Sequence, residues 1–324
     1  MRILFVTSTR IGDAVLSTGL LDDLVRRHPG ARITIACGRP AAPLFVAVPG
    51  LERILPLTKG RYARHWVRLW SACIGTRWDI VVDLRRSFLS WLLVAGRRYR
   101  LGKSSLSVHR VRQLADVLHL PQPPTPWLWT LPVHQTSADR LLAGASPILA
   151  IGPTANWRAK IWRAENFATL IDRLTGTNGI LPEARVAVFG APGERAQGQL
   201  VLDAIPPERR IDLIGTVDLL TAYACLQRCA FYVGNDSGLM HLAAAADIPT
   251  LGLFGPSEDS HYAPWGLKGS VVRTTVPFAE MIRSPDYDHR TADSLMDSLS
   301  VEMAEAAAWR LWRSLRLERN GETP

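Results

Sequence analysis

Short apolar runs alternate along this chain with longer segments whose apolar residues recur every three or four positions. The first run, RILFVT at 2–7, suits a buried strand and gives way to the polar turn Thr7-Ser8-Thr9-Arg10-Ile11-Gly12-Asp13. Over 14–27, Val15, Leu16, Leu20, Leu21, Leu24 and Val25 keep helical spacing until His28-Pro29-Gly30 ends the helix. The pattern then repeats: strand 32–37, helix near 41–48, strand 53–57, helix 62–73, strand 79–84, helix 87–95 and helix 108–118. Prolines at 121, 123, 124, 126 and 132 cannot continue a helix or a central strand, so 121–132 reads as a crossover. Beyond it come strands at 148–152, 185–189, 212–214, 231–234, 250–254 and 270–273. Helices at 165–174, 194–204, 219–228 and 237–246 fill the gaps. A last amphipathic helix, 301–317, is long enough to pack back on the first domain. Alternation of this kind predicts an α/β chain of two doubly wound parallel-sheet domains, 1–135 and 136–324, with ligands at the strand ends in a cleft.

The 324 residues suit two cores, and 47% apolar with 21% charged residues is an ordinary globular composition. No apolar run reaches the roughly 18 residues of a membrane span. The longest, SFLSWLLVAG at 87–96, lies between arginines. The N-terminus enters a strand without a cleavage pattern, so a cytoplasmic protein without a signal peptide is expected. Cys37, Cys73, Cys225 and Cys229 lack zinc spacing and read as buried free thiols. Charge is uneven: residues 1–140 carry 21 Lys/Arg against 8 Asp/Glu, and residues 141–324 carry 17 against 21. A basic first half suits an anionic partner: phosphorylated glycolipid, membrane surface or nucleic acid. The segment RYARHWVRLW at 61–70 is either an interfacial helix or an ordinary amphipathic one with a solvated face. No nucleic-acid motif accompanies the charge, so nucleic acid is not expected as a partner.

The stretch FYVGNDSGLMHLAAAA at 231–246 joins a strand, a small-residue turn and a helix start. It is either a phosphate site or a plain strand–helix unit in which Asp236 or Ser237 caps the helix. His241, further into that helix, can project toward the same ligand. The turn GPTANWRAKIW at 152–162 offers Arg158 and Lys160, cations able to neutralise a diphosphate or merely to solvate a loop. Gly190-Ala191-Pro192-Gly193-Glu194 ends another strand on the same side. Asp13, beside Gly12 at the first strand's end, is an N-cap or a general base. With Gly12 the only glycine in that turn, the first half lacks G-x-G-x-x-G and no dinucleotide cofactor is expected.

Together these residues resemble the heptosyltransferases of lipopolysaccharide inner-core synthesis, glycosyltransferase family 9. The resemblance is carried by MRILFVTSTRIGDAVLST, the Lys160-Ile161-Trp162 neighbourhood, FGAPGE at 189–194, GNDSGLMHLAAA at 234–245 and FGPS at 254–257. It implies a GT-B fold of two Rossmann-like domains, the first for a lipid acceptor and the second for an ADP-sugar donor. It implies that Asp13 deprotonates the acceptor in one inverting displacement, with Thr9, Arg10, Gly12, Arg61 and Arg64 on the acceptor side. Lys160, Thr154, Arg158, Gly190, Asp236, His241 and the backbone of Ser237, Gly238 and Leu239 would hold the donor and its diphosphate. No cofactor or metal is called for, since fixed cations and helix dipoles can serve. Contact with the inner face of the cytoplasmic membrane would follow from a lipid acceptor. The sequence departs from the family at Arg163, where a proline is common, and at PDYDH, 285–289, in place of a cysteine-containing segment. Those departures leave the nucleotide and sugar open. The alternatives are a nucleotide-sugar epimerase of the same fold, transfer of another sugar to another acceptor, and a non-catalytic binding protein.

Overall fold

The computed structural model describes residues 1–58, 64–144, 146–281 and 293–320. The chain divides into two units, Met1–Leu131 and Pro132–Pro324. The first holds a parallel sheet of β1 (Arg2–Val6), β2 (Arg32–Gly38), β3 (Leu51–Leu57), β4 (Trp78–Asp83) and β5 (Ala95–Arg100), in the order β3-β2-β1-β4-β5. Its helices are α1 (Ile11–Leu16), α2 (Thr18–Arg27), α3 (Arg64–Cys73) and α4 (Arg110–Val117). The expected helix over 14–27 is broken at Ser17, whose hydroxyl donates to the Ala14 carbonyl at 2.7 Å. The expected helix near 41–48 is a 3-10 segment, Arg39–Phe45, with Pro43 inside it.

The helix expected over 87–95 does not form. Only a 3-10 turn, Leu89–Trp91, is present, and β5 begins at Ala95. Two carbonyls that such a helix would bond, those of Ser87 and Ser90, are taken by side chains. Arg98 donates to those of Ser90, Leu93 and Ala95, and Arg100 to that of Ser87.

The second unit begins with α5 (Pro132–Leu141), a helix the sequence reading lacked. Proline is well tolerated at a helix's first position, so Pro132 opens this helix as readily as it ends a crossover. Arg228 clasps α5 through Asp139 and Gln135 at 2.7 and 2.8 Å. These bonds place 132–135 with the second unit, ahead of the expected boundary at 135.

The second sheet contains β6 (Ile148–Gly152), β7 (Arg185–Gly190), β8 (Arg210–Ile214), β9 (Phe231–Asn235), β10 (Thr250–Phe254) and β11 (Gly269–Arg273). Its order is β11-β10-β9-β6-β7-β8. The helices α6 (Ala164–Thr175), α7 (Arg195–Asp203), α8 (Leu219–Leu226) and α9 (Gly238–Ala245) intervene. Ile151, Val188, Val233 and Leu253 are among the sheet residues of one buried cluster. The final helix, Val301–Asn320, adds Ala304, Ala307, Ala308 and Leu311 to that same cluster, with Trp312 edge-on to Phe231. Its described apolar face is therefore used within the second unit. All four cysteines are buried and unbridged, and burial pushes the Cys37 thiol up to about 12. Among the described residues, no helix is long and apolar enough to cross a membrane.

Candidate functional site

Both sheets change winding direction between two neighbouring strands, and ligands of such sheets bind at the carboxyl ends flanking that point. In the second unit the reversal lies between β6 and β9, paired in parallel with Gly152 opposite Gly234. Neither glycine tolerates a side chain. A Cβ at Gly152 would stand 2.0 Å from the Tyr232 hydroxyl, and one at Gly234 would stand 2.4 Å from it. Burial raises the Tyr232 phenol far above its ordinary pKa.

Asn235 ends β9 fully buried and ties the neighbouring loop to it. Its Nδ2 donates to the Pro153 carbonyl at 2.8 Å, and its Oδ1 accepts from the Trp162 N–H at 3.1 Å. Between those anchors lies Lys160, whose ammonium forms an ion pair with Asp236 and sits 5.7 Å from the Trp157 ring centroid. Their side chains are 18% and 6% exposed. The structure thus brings two expected donor-side residues into direct contact.

Thr154, also buried, donates to Glu194 Oε2 at 2.6 Å, and the Ala191 N–H donates to the same oxygen at 2.9 Å. This joins the end of β6 to the turn after Gly190, the last residue of β7. Arg158 lies further out, exposed, with its Nε 3.0 Å from Asp293. The Ser294 N–H first, then Arg158, hold Asp293 below the usual carboxylate range. Segment 294–299 straps the Lys160 loop from outside. Leu295 N–H donates to the Ala159 carbonyl, Ser294 Oγ to that of Ile161, and Trp162 Nε1 to that of Leu299.

Ser237 is at the N-cap position of α9 with extended backbone, but its side chain makes no capping bond. Asp236 is committed to Lys160. Neither residue therefore caps the helix as expected, and the first turn, with Gly238 and Leu239 partly exposed, is not closed off by a side chain. His241 is buried one turn along, its ring 6.1 Å from that of Tyr262.

In the first unit the reversal lies between β1 and β4. Asp13 sits in the first turn of α1, half-buried, and accepts a long bond from Ser8 Oγ at 3.4 Å. Gly12 is beside it, and Arg10 is exposed. The turn crosses directly over Gly38, where a Cβ would stand 2.4 Å from Thr9 Cα. Thr9 Oγ1 accepts from Arg85 Nη1 at 3.1 Å, which links the turns after β1 and β4. Asp83, fully buried, holds the second turn by accepting from the Arg85 N–H and Ser87 Oγ at 2.9 and 2.7 Å. Arg64 opens α3 beyond the edge strand β3, well along the sheet from β1, and is exposed. Arg61 lies outside the described residues. Among the described residues, no three His, Cys, Asp or Glu side chains gather as a metal site.

The sequence reading did not single out Asn235, Asp83, Arg85 or Ser87. The signal for Asp83 and Arg85 was their place at a strand's carboxyl end, but only the strand order sets that end beside Asp13.

A family model described as glycosyltransferase family 9 (heptosyltransferase) matches residues 67–286, more than half of the chain. The chain belongs to that family. Lipooligosaccharide heptosyltransferase 2 of Haemophilus influenzae is 26% identical over 342 residues, covering 94% of this chain and 97% of its own. The structure of Escherichia coli ADP-heptose LPS heptosyltransferase II matches with a TM-score of 0.72 at 21% identity, over 98% of this chain and 100% of that one. A family 9 glycosyltransferase from Veillonella parvula gives 0.78 at 20% identity, with 97% of each chain covered. The fold of this family 9 enzyme is GT-B, as expected, and its activity is that of a glycosyltransferase.

Proposed function

We infer that this family 9 glycosyltransferase moves a heptose from ADP-heptose to the inner core of lipopolysaccharide or a related anionic glycolipid. The observation that carries this reading is the nearly full-length likeness to lipopolysaccharide and lipooligosaccharide heptosyltransferases. The geometry supports it. Asp13, presented at a winding reversal, takes the proton of the acceptor hydroxyl as the oxygen attacks the sugar's anomeric carbon. The bond from that carbon to the diphosphate oxygen breaks on the opposite face, so configuration inverts and ADP departs with the electron pair. Lys160 and the N–H groups of Ser237, Gly238 and Leu239 stabilise the diphosphate's growing charge. Asp236 holds the ammonium in place until the diphosphate arrives, with Thr154, Arg158, Gly190 and His241 completing the donor side. Thr9, Arg10, Gly12, Arg61 and Arg64 belong to the acceptor side. Such an acceptor places the work at the cytoplasmic face of a membrane. An epimerase of the same fold is the weaker reading, because the family transfers sugars.

Calorimetric titration with ADP, UDP, GDP and NAD tests the donor. Selective ADP binding, lost in Lys160→Ala, is the expected result. Preference for UDP or GDP would overturn the ADP-heptose assignment, and binding of none would overturn the donor site.

A further inference from the structure

The residues between β4 and β5 present an apolar surface that neither the fold nor the proposed chemistry uses. Phe88 is 82% exposed, and Trp91, Leu92 and Val94 are each 62% exposed. Leu89 and Leu93 point the other way and anchor the loop in the core beside Leu69 and Cys73 of α3. Four large apolar side chains exposed within seven residues are a concentration that surfaces of monomeric proteins seldom carry without a use.

The loop is held in this shape. Arg98 reaches three of its carbonyls, at 2.8 Å to Ser90, 2.7 Å to Leu93 and 3.0 Å to Ala95. Arg100 takes a fourth, at Ser87, and its guanidinium lies 5.4 Å from the Trp91 ring centroid. Trp70 Nε1 donates to the Leu92 carbonyl at 3.4 Å. A planar guanidinium suits such a multi-carbonyl clasp, and it fixes the apolar side chains outward without adding a carboxylate.

Charge identifies the occupant. Residues 84–115 contain eight Lys/Arg and no Asp or Glu, and Arg86 and Arg97 are exposed on either side of the loop. A second copy of this chain would bring the same cations against themselves. An anionic bilayer supplies both headgroup charge for the arginines and an acyl boundary for Phe88, Trp91 and Leu92.

We propose that the 88–94 loop is a membrane-docking surface that inserts its apolar side chains into an anionic lipid interface. The proposal deepens the reading of a lipid-borne acceptor and rests on it for its purpose, since the described chain has no crossing helix.

The test is co-sedimentation of the full chain with vesicles of phosphatidylglycerol and phosphatidylethanolamine, with phosphatidylcholine vesicles as reference. The wild type should partition to the anionic vesicles and release in high salt. The triple variant Phe88→Ser/Trp91→Ser/Leu92→Ser should lose about tenfold or more in partition, and Arg86→Glu/Arg97→Glu should lose a similar amount. Melting temperature and ADP affinity, measured on the same samples, should stay unchanged, which separates this surface from the donor site. Equal partition of the triple variant and wild type would overturn the proposal. So would a wild-type dimer that the triple variant dissociates, without vesicle binding by either. Vesicle binding lost in the triple variant, in a protein that binds no ADP, would keep the surface and overturn the donor reading instead.

Discussion

Lys160 and Asp236 illustrate what single residues reveal and conceal. Each stood out in the sequence by its place after a strand, but nothing in a chain where 76 residues separate them shows that they pair. In the fold they form a mostly buried ion pair. Such a pair is weak evidence for net stability, yet removing one partner strands the other charge. Lys160→Met should therefore destabilise the second unit by about 3 kcal/mol, and adding Asp236→Asn should recover much of that loss. ADP binding should stay lost in both variants. Urea unfolding and calorimetry on the two variants check this; a single variant as stable as the wild type would show that Asp236 is not left uncompensated. Asp13 and its turn were legible from the strand-end glycine and carboxylate. Asp83 and Arg85 were not, because their relation to Thr9 depends on which strand lies beside β1.

Strands flanked by polar turns were the most legible elements, since a parallel sheet covered on both faces requires continuous apolar runs. Both sheets and their main helices followed that signal. The 87–95 run misled for a physical reason: apolar residues in a row fit a helix when only periodicity is weighed, whereas here Arg98 and Arg100 capture the carbonyls. Helix α5 was hidden by the proline that begins it. The link between β9 and the Lys160 loop belongs to the same level. Asn235 uses both ends of its buried amide on that loop, so Asn235→Ala leaves two buried backbone groups without their partner. Loss of about 3 kcal/mol is expected, with ADP affinity falling further than the thermal shift alone explains. Denaturant midpoints and ADP titration measure both, and unchanged affinity in a folded variant would show that the loop keeps its shape without Asn235.

Across the whole molecule, the first half's basic excess and the second half's slightly acidic balance suit the proposed division of labour between anionic acceptor and nucleotide sugar. Two doubly wound sheets were readable from the alternation of elements. Where each reverses was not, because strand order is decided by packing between segments far apart in sequence. Both reversals, β1 beside β4 and β6 beside β9, carry the residues assigned to the chemistry. The central claim is that those residues transfer a sugar with Asp13 as base. The most direct measurement is transfer from ADP-heptose to a water-soluble, truncated inner-core acceptor, by wild type and Asp13→Asn side by side. The wild type should form the inverted glycoside and release ADP only when acceptor is present. Asp13→Asn should lose about 10²–10⁴-fold in kcat while binding ADP as before. Transfer by Asp13→Asn at the wild-type rate, or donor turnover without acceptor, would contradict the account.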